Sequence, residues 1–382
     1  MVKKYIYADN AATSKLSEAA LDAMLPFYKD IYANPSQLYS FSREAKKAVN
    51  VSREIIAECI GAKTEEIIFT SGGTESDNFV IKNAIFQNWD VVTSMIEHNA
   101  ILKPCEQVKS LGGSVHFLNV DKNGIVDVSN ILNKIQNMHG IMSIMMVNNE
   151  IGTLQPIESL IKFAHDNNLI FHTDAVQAVG HTHIDVKTLD IDLLSASAHK
   201  FNGPKGVGFL YKKRSVSLYP LLNGGGQELG NRAGTENVPA VVGMAIALKE
   251  NVDNLLNTQI KLKKIECILL DSLLKKGVNF IRNGINHLPG FLSLSFPGFS
   301  GEQILHRLDL KKIIVSTGSA CDSNNTQISH VLKAIGLDDD VAKGTIRITL
   351  GRENSEQDAI EIANSISSIL KNMSIEKYNN RS

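Results

Sequence analysis

The 382-residue sequence predicts an α/β protein, with a large domain on a mostly parallel sheet sandwiched by helices and a smaller α+β domain beside it. Three observations predict this. Short β-rich runs alternate with amphipathic segments through the first half of the chain, the rhythm of strand, helix and parallel strand. One of these runs, GIMSIMMV at 140–147, is apolar almost throughout, as strands covered on both faces are. From Val238 a long segment keeps apolar residues at helical spacing for many turns, and a second, shorter set of elements follows it.

Taken in order, EEIIFT (65–70), WDVVTS (89–94), GSVHFL (113–118), GIMSIMMV and LIFHTDA (169–175) read as strands, because β-branched and aromatic residues cluster there between turn-formers. NAILKPCEQVKSL (99–111) and PIESLIKFAHDNN (156–168) carry the helical period. GVGFLY (206–211) leaves a glycine- and proline-bearing turn as a further strand. The segment from Val238 to Lys276 is expected to be a helix broken once. Beyond it, FLSLSF and KKIIVST read as strands, GEQILHRLD and ISHVLKAIG as helices, GTIRITLG as a strand, and a last helix starts near Ser355. The expected division is a large domain over 15–251 and a small one formed by 1–14 with 252–382.

Composition excludes several classes of function. The chain has 39 basic against 40 acidic side chains and 43% hydrophobic residues, the balance of an ordinary soluble globular protein. It lacks the basic excess of a nucleic-acid binder or a polybasic membrane surface. No apolar run reaches the roughly 18 residues of a membrane span, and the N-terminus lacks a signal-peptide core, so the cytoplasm is the expected compartment. The four cysteines, Cys59, Cys105, Cys267 and Cys321, form no CxxC pair, which argues against a zinc site or a disulfide framework.

Ligands of parallel α/β sheets sit beyond the carboxyl ends of the strands, so the residues after each strand carry the functional reading. After EEIIFT, SGGTESDN offers two glycines and the hydroxyls of Thr74 and Ser76 at a helix start, either a phosphate cradle or a simple N-cap turn. Asp174 leaves a buried strand with Gln177 three residues on. It reads as a helix cap or as the partner of a protonated ring nitrogen. His98 in SMIEHNA suits stacking or proton transfer, and the amide of Asn149 in VNNEIG suits an anionic oxygen. In SASAHKFNGPKGVG, Lys200 stands in a rigid turn at a strand junction, where an amine serves as a nucleophile. Phosphate cradle, ring-nitrogen acid, stacking imidazole and Schiff-base lysine are together the parts that hold pyridoxal 5'-phosphate.

SASAHKFNGPKGVG, FHTDAVQAVG, TSGGTESDN, VNNEIG and NRAGTENVPA together resemble the class V aminotransferase family, and within it the NifS/IscS-like cysteine desulfurases. The likeness runs from YADNAAT to IRITLGR. It implies the fold type I architecture of pyridoxal-phosphate-dependent transferases. By position it implies that Lys200 bonds the cofactor covalently, Asp174 pairs with its pyridine nitrogen, Gln177 meets its phenolic oxygen and His98 stacks on the ring. Gly73, Thr74, Ser197 and His199 fall at the phosphate, Asn149 at cofactor or substrate, and Arg347 at the substrate carboxylate. Thr235 matches a residue that reaches the phosphate of the neighbouring subunit, which implies a homodimer. Cys321, in the loop VSTGSACDSNN, is the implied acceptor of sulfur from L-cysteine, giving alanine and a persulfide that a sulfur-acceptor protein then takes, for iron–sulfur clusters or tRNA thiolation. A selenocysteine lyase or another class V aminotransferase shares the cofactor residues but not the need for Cys321. The chain departs from the family at Asn223, at Leu229, and in a C-terminal end that is short after its last helix.

Overall fold

The computed structural model describes residues 5–132, 135, 138–317 and 328–379. The chain starts with β1 (Ile6–Tyr7), α1 (Glu18–Lys29) and α2 (Arg43–Cys59). Strands and helices then alternate: β2 (Ile67–Thr70), α3 (Gly73–Gln87), β3 (Asp90–Ser94), α4 (Asn99–Ser110), β4 (Val115–Val120), β5 (Val126–Asp127), β6 (Gly140–Ser143), α5 (Ile157–Asp166), β7 (Leu169–Asp174), β8 (Leu193–Ser197) and β9 (Gly208–Lys212). The long apolar segment forms α6 (Val238–Asp253) and α7 (Leu255–Lys275), broken at Asn254. The chain closes with β10 (Ile281–Arg282), β11 (Phe291–Ser295), α8 (Gly301–Asp309), β12 (Ile313–Ile314), α9 (His330–Ala334), α10 (Asp339–Ala342), β13 (Thr345–Thr349) and α11 (Glu356–Asn379).

Eight strands form one sheet in the order β2-β9-β8-β7-β6-β3-β4-β5. β4, β3, β6, β7 and β8 run parallel, and β9 and β5 run against their neighbours. Alternation decides which helices cover which face, since successive side chains point to opposite sides. Val92, Met142, Phe171, Leu194 and Phe209 join a core with Val49 and Ile56 of α2, Leu160 of α5 and Val241 of α6. Their neighbours Val91, Ile141, Leu193 and Leu210 join the opposite core, with Phe79 and Val80 of α3 and Ile101 and Cys105 of α4. Each large apolar side chain buried this way contributes about 1.5–3 kcal/mol. GIMSIMMV pairs as a strand only through Ser143; its second half leaves the ladder but stays bonded to β7, Ile144 N donating to His172 O and Met146 N to Asp174 O.

A second core gathers Leu269 of α7, Leu292 of β11, Leu308 of α8, Ile346 of β13 and Ile366 of α11. The N-terminus belongs to this packing, because β1 pairs in parallel with β12, Ile6 opposite Ile313. The residues after β1 then cross to the large sheet, with Ala11 N donating to Thr349 Oγ1 and Ser14 N to His199 O. This crossing brings the two packed regions together at the carboxyl ends of the parallel strands. Among the described residues, no helix is long and apolar enough to cross a membrane.

Candidate active site

The turn between β2 and α3 is glycine-dependent. Gly72 has φ +146°, a region that L side chains rarely adopt, and a Cβ on Gly208 of the adjoining strand would lie 2.7 Å from Gly72 Cα. A Cβ on Gly73 would stand 2.5 Å from Val176 Cγ2. The start of α3 is therefore pressed against the end of β7, and its first backbone N–H groups, which a helix cannot satisfy internally, face the space beyond the strands. Thr74 lines that space. Ser76 does not: its hydroxyl is buried against Thr70 Oγ1 at 2.9 Å and Gly72 O at 3.3 Å, so it holds the turn rather than a ligand.

The space is a cavity of about 330 Å³. Gly73, Thr74, His98, Asn149, Asp174, Gln177, Ser197, His199, Lys200 and Arg347 all line it, so residues read at strand ends and residues placed by the resemblance meet at one place. Thr235 does not; it is exposed on the loop before α6. Leu229, one of the departures from the family pattern, is 80% exposed and also outside the cavity. Cys321 lies outside the described residues.

Lys200 ends the turn after β8, and its Nζ donates to Ala11 O at 2.5 Å and Ala12 O at 2.9 Å. Gln177 Nε2 donates to the same Ala11 carbonyl at 2.9 Å, so the crossing N-terminal segment holds both side chains. Asp174, the last residue of β7, accepts from Val176 N at 2.9 Å. Burial pushes its carboxyl up, while His98, that backbone bond and Lys200 draw it down. His98 caps α4, its Nδ1 accepting from Ala100 N at 3.1 Å, which leaves the ring proton on Nε2. Burial lowers its pKa, and the charges of Lys200 and His330 add to this against the pull of Asp174. His199 meets Thr13 Oγ1 at 3.2 Å and is lowered to about 4 by burial and by Lys200 and Lys205.

Arg347, in the middle of β13, reaches in from the second core. It donates through Nη1 to Asn149 O and through Nη2 to Asp9 Oδ1, each at 2.8 Å. Its Nε is buried without a partner.

A class-V aminotransferase profile matches residues 6–361. The chain belongs to the class-V aminotransferase family. Its place there is with the cysteine desulfurases: the cysteine desulfurase IscS of Dictyoglomus turgidum is 43% identical over 363 residues, 94% of this chain and 92% of that protein. A NifS-like protein of known structure superposes with a TM-score of 0.89 at 34% identity, covering 96% of this chain and 99% of that one. SspA in complex with cysteine superposes with a TM-score of 0.82 at 34% identity, over 92% of this chain and 100% of that one.

Class-V aminotransferases depend on pyridoxal phosphate, and this cavity suits the group. It offers helix N–H donors at a glycine with no room for a Cβ, a buried carboxylate in Asp174, and an amine in Lys200. Sequence reasoning missed other residues of the site: Asp9, Ala11, Ala12, Met145 and Ser316 line it, and so does Asp77, which lay unread inside the quoted TESDN. Burial also makes two other cysteines poor nucleophiles, pushing Cys59 up to about 11 and Cys105 up to about 12.

Proposed function

We propose that this protein is a cysteine desulfurase that moves the sulfur of L-cysteine onto Cys321 and releases L-alanine. The observation that carries the reading is the meeting of Lys200, Asp174, His98 and Arg347, from four separate elements, around one cavity in a chain whose relatives are named cysteine desulfurases. On this reading pyridoxal 5'-phosphate is the cofactor. Gly73, Thr74, Ser197 and His199 hold its phosphate, Asp174 and Gln177 its polar ring atoms, His98 its face and Lys200 its aldehyde carbon. When bound, the cofactor supplies an electron sink for the substrate's α-carbon.

The side chains do the rest. Arg347 exchanges part of its pairing with Asp9 for the substrate carboxylate, with Asn149 beside it. Lys200, released on substrate entry and steered by the Ala11 and Ala12 carbonyls, carries the α-proton. Cys321 attacks the substrate sulfur as a thiolate: the S–S bond forms, the Cβ–S bond breaks, and its electron pair stays on carbon, which is then protonated. L-cysteine and one enzyme thiol thus become L-alanine and one persulfide, with no other oxidant or reductant. On the same reading the domain of 15–251 holds the cofactor and the small domain of 1–14 and 252–382 carries Cys321. Two copies pair in the cytoplasm, Thr235 of each completing the other's phosphate site, and an acceptor protein takes the sulfur.

The test is a product balance. Purified enzyme given L-cysteine and a thiol reductant should yield alanine and sulfide in equal amounts without any keto acid. Alanine formation that depends on an added amino acceptor, with no sulfide, would make the protein a transaminase; turnover of selenocysteine alone would make it a lyase of that substrate.

A further inference from the structure

Asp77 lies on α3 with 1% of its surface exposed, on the inner side of the cavity. The ionisable and polar groups that face it are Asp174 and His172 on β7, Ser195 on β8, and Glu97 after β3. None of these is a ready cation. His172 is fully buried, its Nδ1 engaged with Ser143 Oγ at 2.8 Å and its Nε2 with Ser195 Oγ at 3.0 Å, and burial lowers it to about 3. That ring stands 3.8 Å from Asp77 Oδ1, which has no hydrogen-bond partner. Glu97 is held protonated near neutrality, burial raising it to about 8 against bonds from Ser94 and Met145.

A buried carboxylate with an orphaned oxygen beside a second carboxylate is strongly disfavoured, whereas the neutral acid in the same place leaves no charge unpaired. The two aspartates are not equivalent. Asp174 takes a backbone N–H from Val176 and feels the positive charge of Lys200 and of His98 when protonated. For Asp77, burial and the charge of Asp174 push its carboxyl well above the ordinary range, against the Ser195 hydroxyl, which draws it down.

We propose that Asp77 is a positioning residue that stands as a neutral carboxylic acid beneath the site and keeps the single negative charge of the pair on Asp174. One charge, placed at the cavity surface, is what a protonated ring nitrogen requires. This use of the charge rests on the proposed role of Asp174; the location of the proton does not, and is tested separately.

The test is infrared spectroscopy of the full-length enzyme as purified, at neutral pH, with the aspartate carboxyl carbons isotopically labelled. The parent should show a protonated-carboxyl band that moves with the label, persists in Asp174→Asn and is lost in Asp77→Asn. A band lost in Asp174→Asn and kept in Asp77→Asn would put the proton on the wrong residue. A band kept in both variants would belong to another aspartate, and no label-sensitive acid band at all would mean that both are ionised; each of these results overturns the proposal. If Asp77→Asn does not fold, the labelled parent and Asp174→Asn still decide whether the acid exists and whether it is Asp174. Turnover is not read, so a failure of the desulfurase reading leaves this result standing.

Discussion

The floor of the cavity and its far wall solve the burial of charge in opposite ways. At the floor, Asp174 and Asp77 line the cavity and Glu97 and His172 pack near Asp77, each 5% exposed or less, and burial favours the neutral form of each. On the wall, Arg347 is almost as buried at 6%, and it is paired with Asp9 and with the Asn149 carbonyl. A charge taken out of water must be neutralised or paired, and the two regions take one course each. The difference assigns their tasks. On the proposed reading the floor keeps one negative charge at Asp174, and the wall offers an arginine whose partners an incoming carboxylate replaces.

The largest expected effect comes from the amine in the same cavity. Lys200→Ala should cut alanine formation by on the order of 10³-fold or more, as loss of a covalently acting group does. Borohydride reduction of the parent should fix the cofactor to this lysine; fixation to another would break the comparison. Next, Asp174→Asn should lower kcat by about 10²–10³-fold, roughly 3–4 kcal/mol, with KM changed far less. Near-parental turnover would remove Asp174 from the chemistry. On the wall, Arg347→Lys keeps the charge but loses the planar fork, so KM for cysteine should rise by about tenfold while kcat stays within about threefold. A fall in kcat at unchanged KM would instead place the arginine in the transition state.

The smallest effect is a slope. Glu97 is raised from its ordinary 4.5 to about 8, so folding takes up a proton between those values. Its neutral-state stability is complete below the unfolded pKa and is lost as pH rises toward about 8, by up to ~1.4 kcal/mol per pH unit. Glu97→Gln keeps an acceptor for Met145 N and should flatten this part of the pH dependence of the urea midpoint. An unchanged slope would mean that Glu97 is not held protonated.

Three residues of the site were legible in the sequence because each belongs to the end of a recognisable strand or follows one: Asp174 stands near the end of LIFHTDA, His98 follows WDVVTS, and Lys200 follows the strand that becomes β8. Local pattern and the strand-end rule suffice there. The wall was not legible in that way. Asp9 follows a strand of two residues, too short to carry a period, and meets Arg347 across 338 positions of chain. Only the family resemblance points to Arg347, and nothing in the local sequence points to its partner Asp9. Asp77 escaped for another reason: helix α3 is apolar on more than one face, so nothing in its spacing says which way an aspartate turns. Of the two readings of Ser76, phosphate cradle or turn, the structure shows the turn: its hydroxyl bonds Thr70 Oγ1 and the Gly72 carbonyl four residues back.

The central claim is sulfur transfer from L-cysteine to Cys321, and mass spectrometry of the enzyme after a single turnover without reductant tests it most directly. The peptide bearing Cys321 should gain one sulfur atom, with one alanine released for each, and Cys321→Ser should show neither while its fold and cofactor content stay close to the parent's. Alanine formed by Cys321→Ser at the parental rate, or the added sulfur found on Cys59, Cys105 or Cys267, would contradict it.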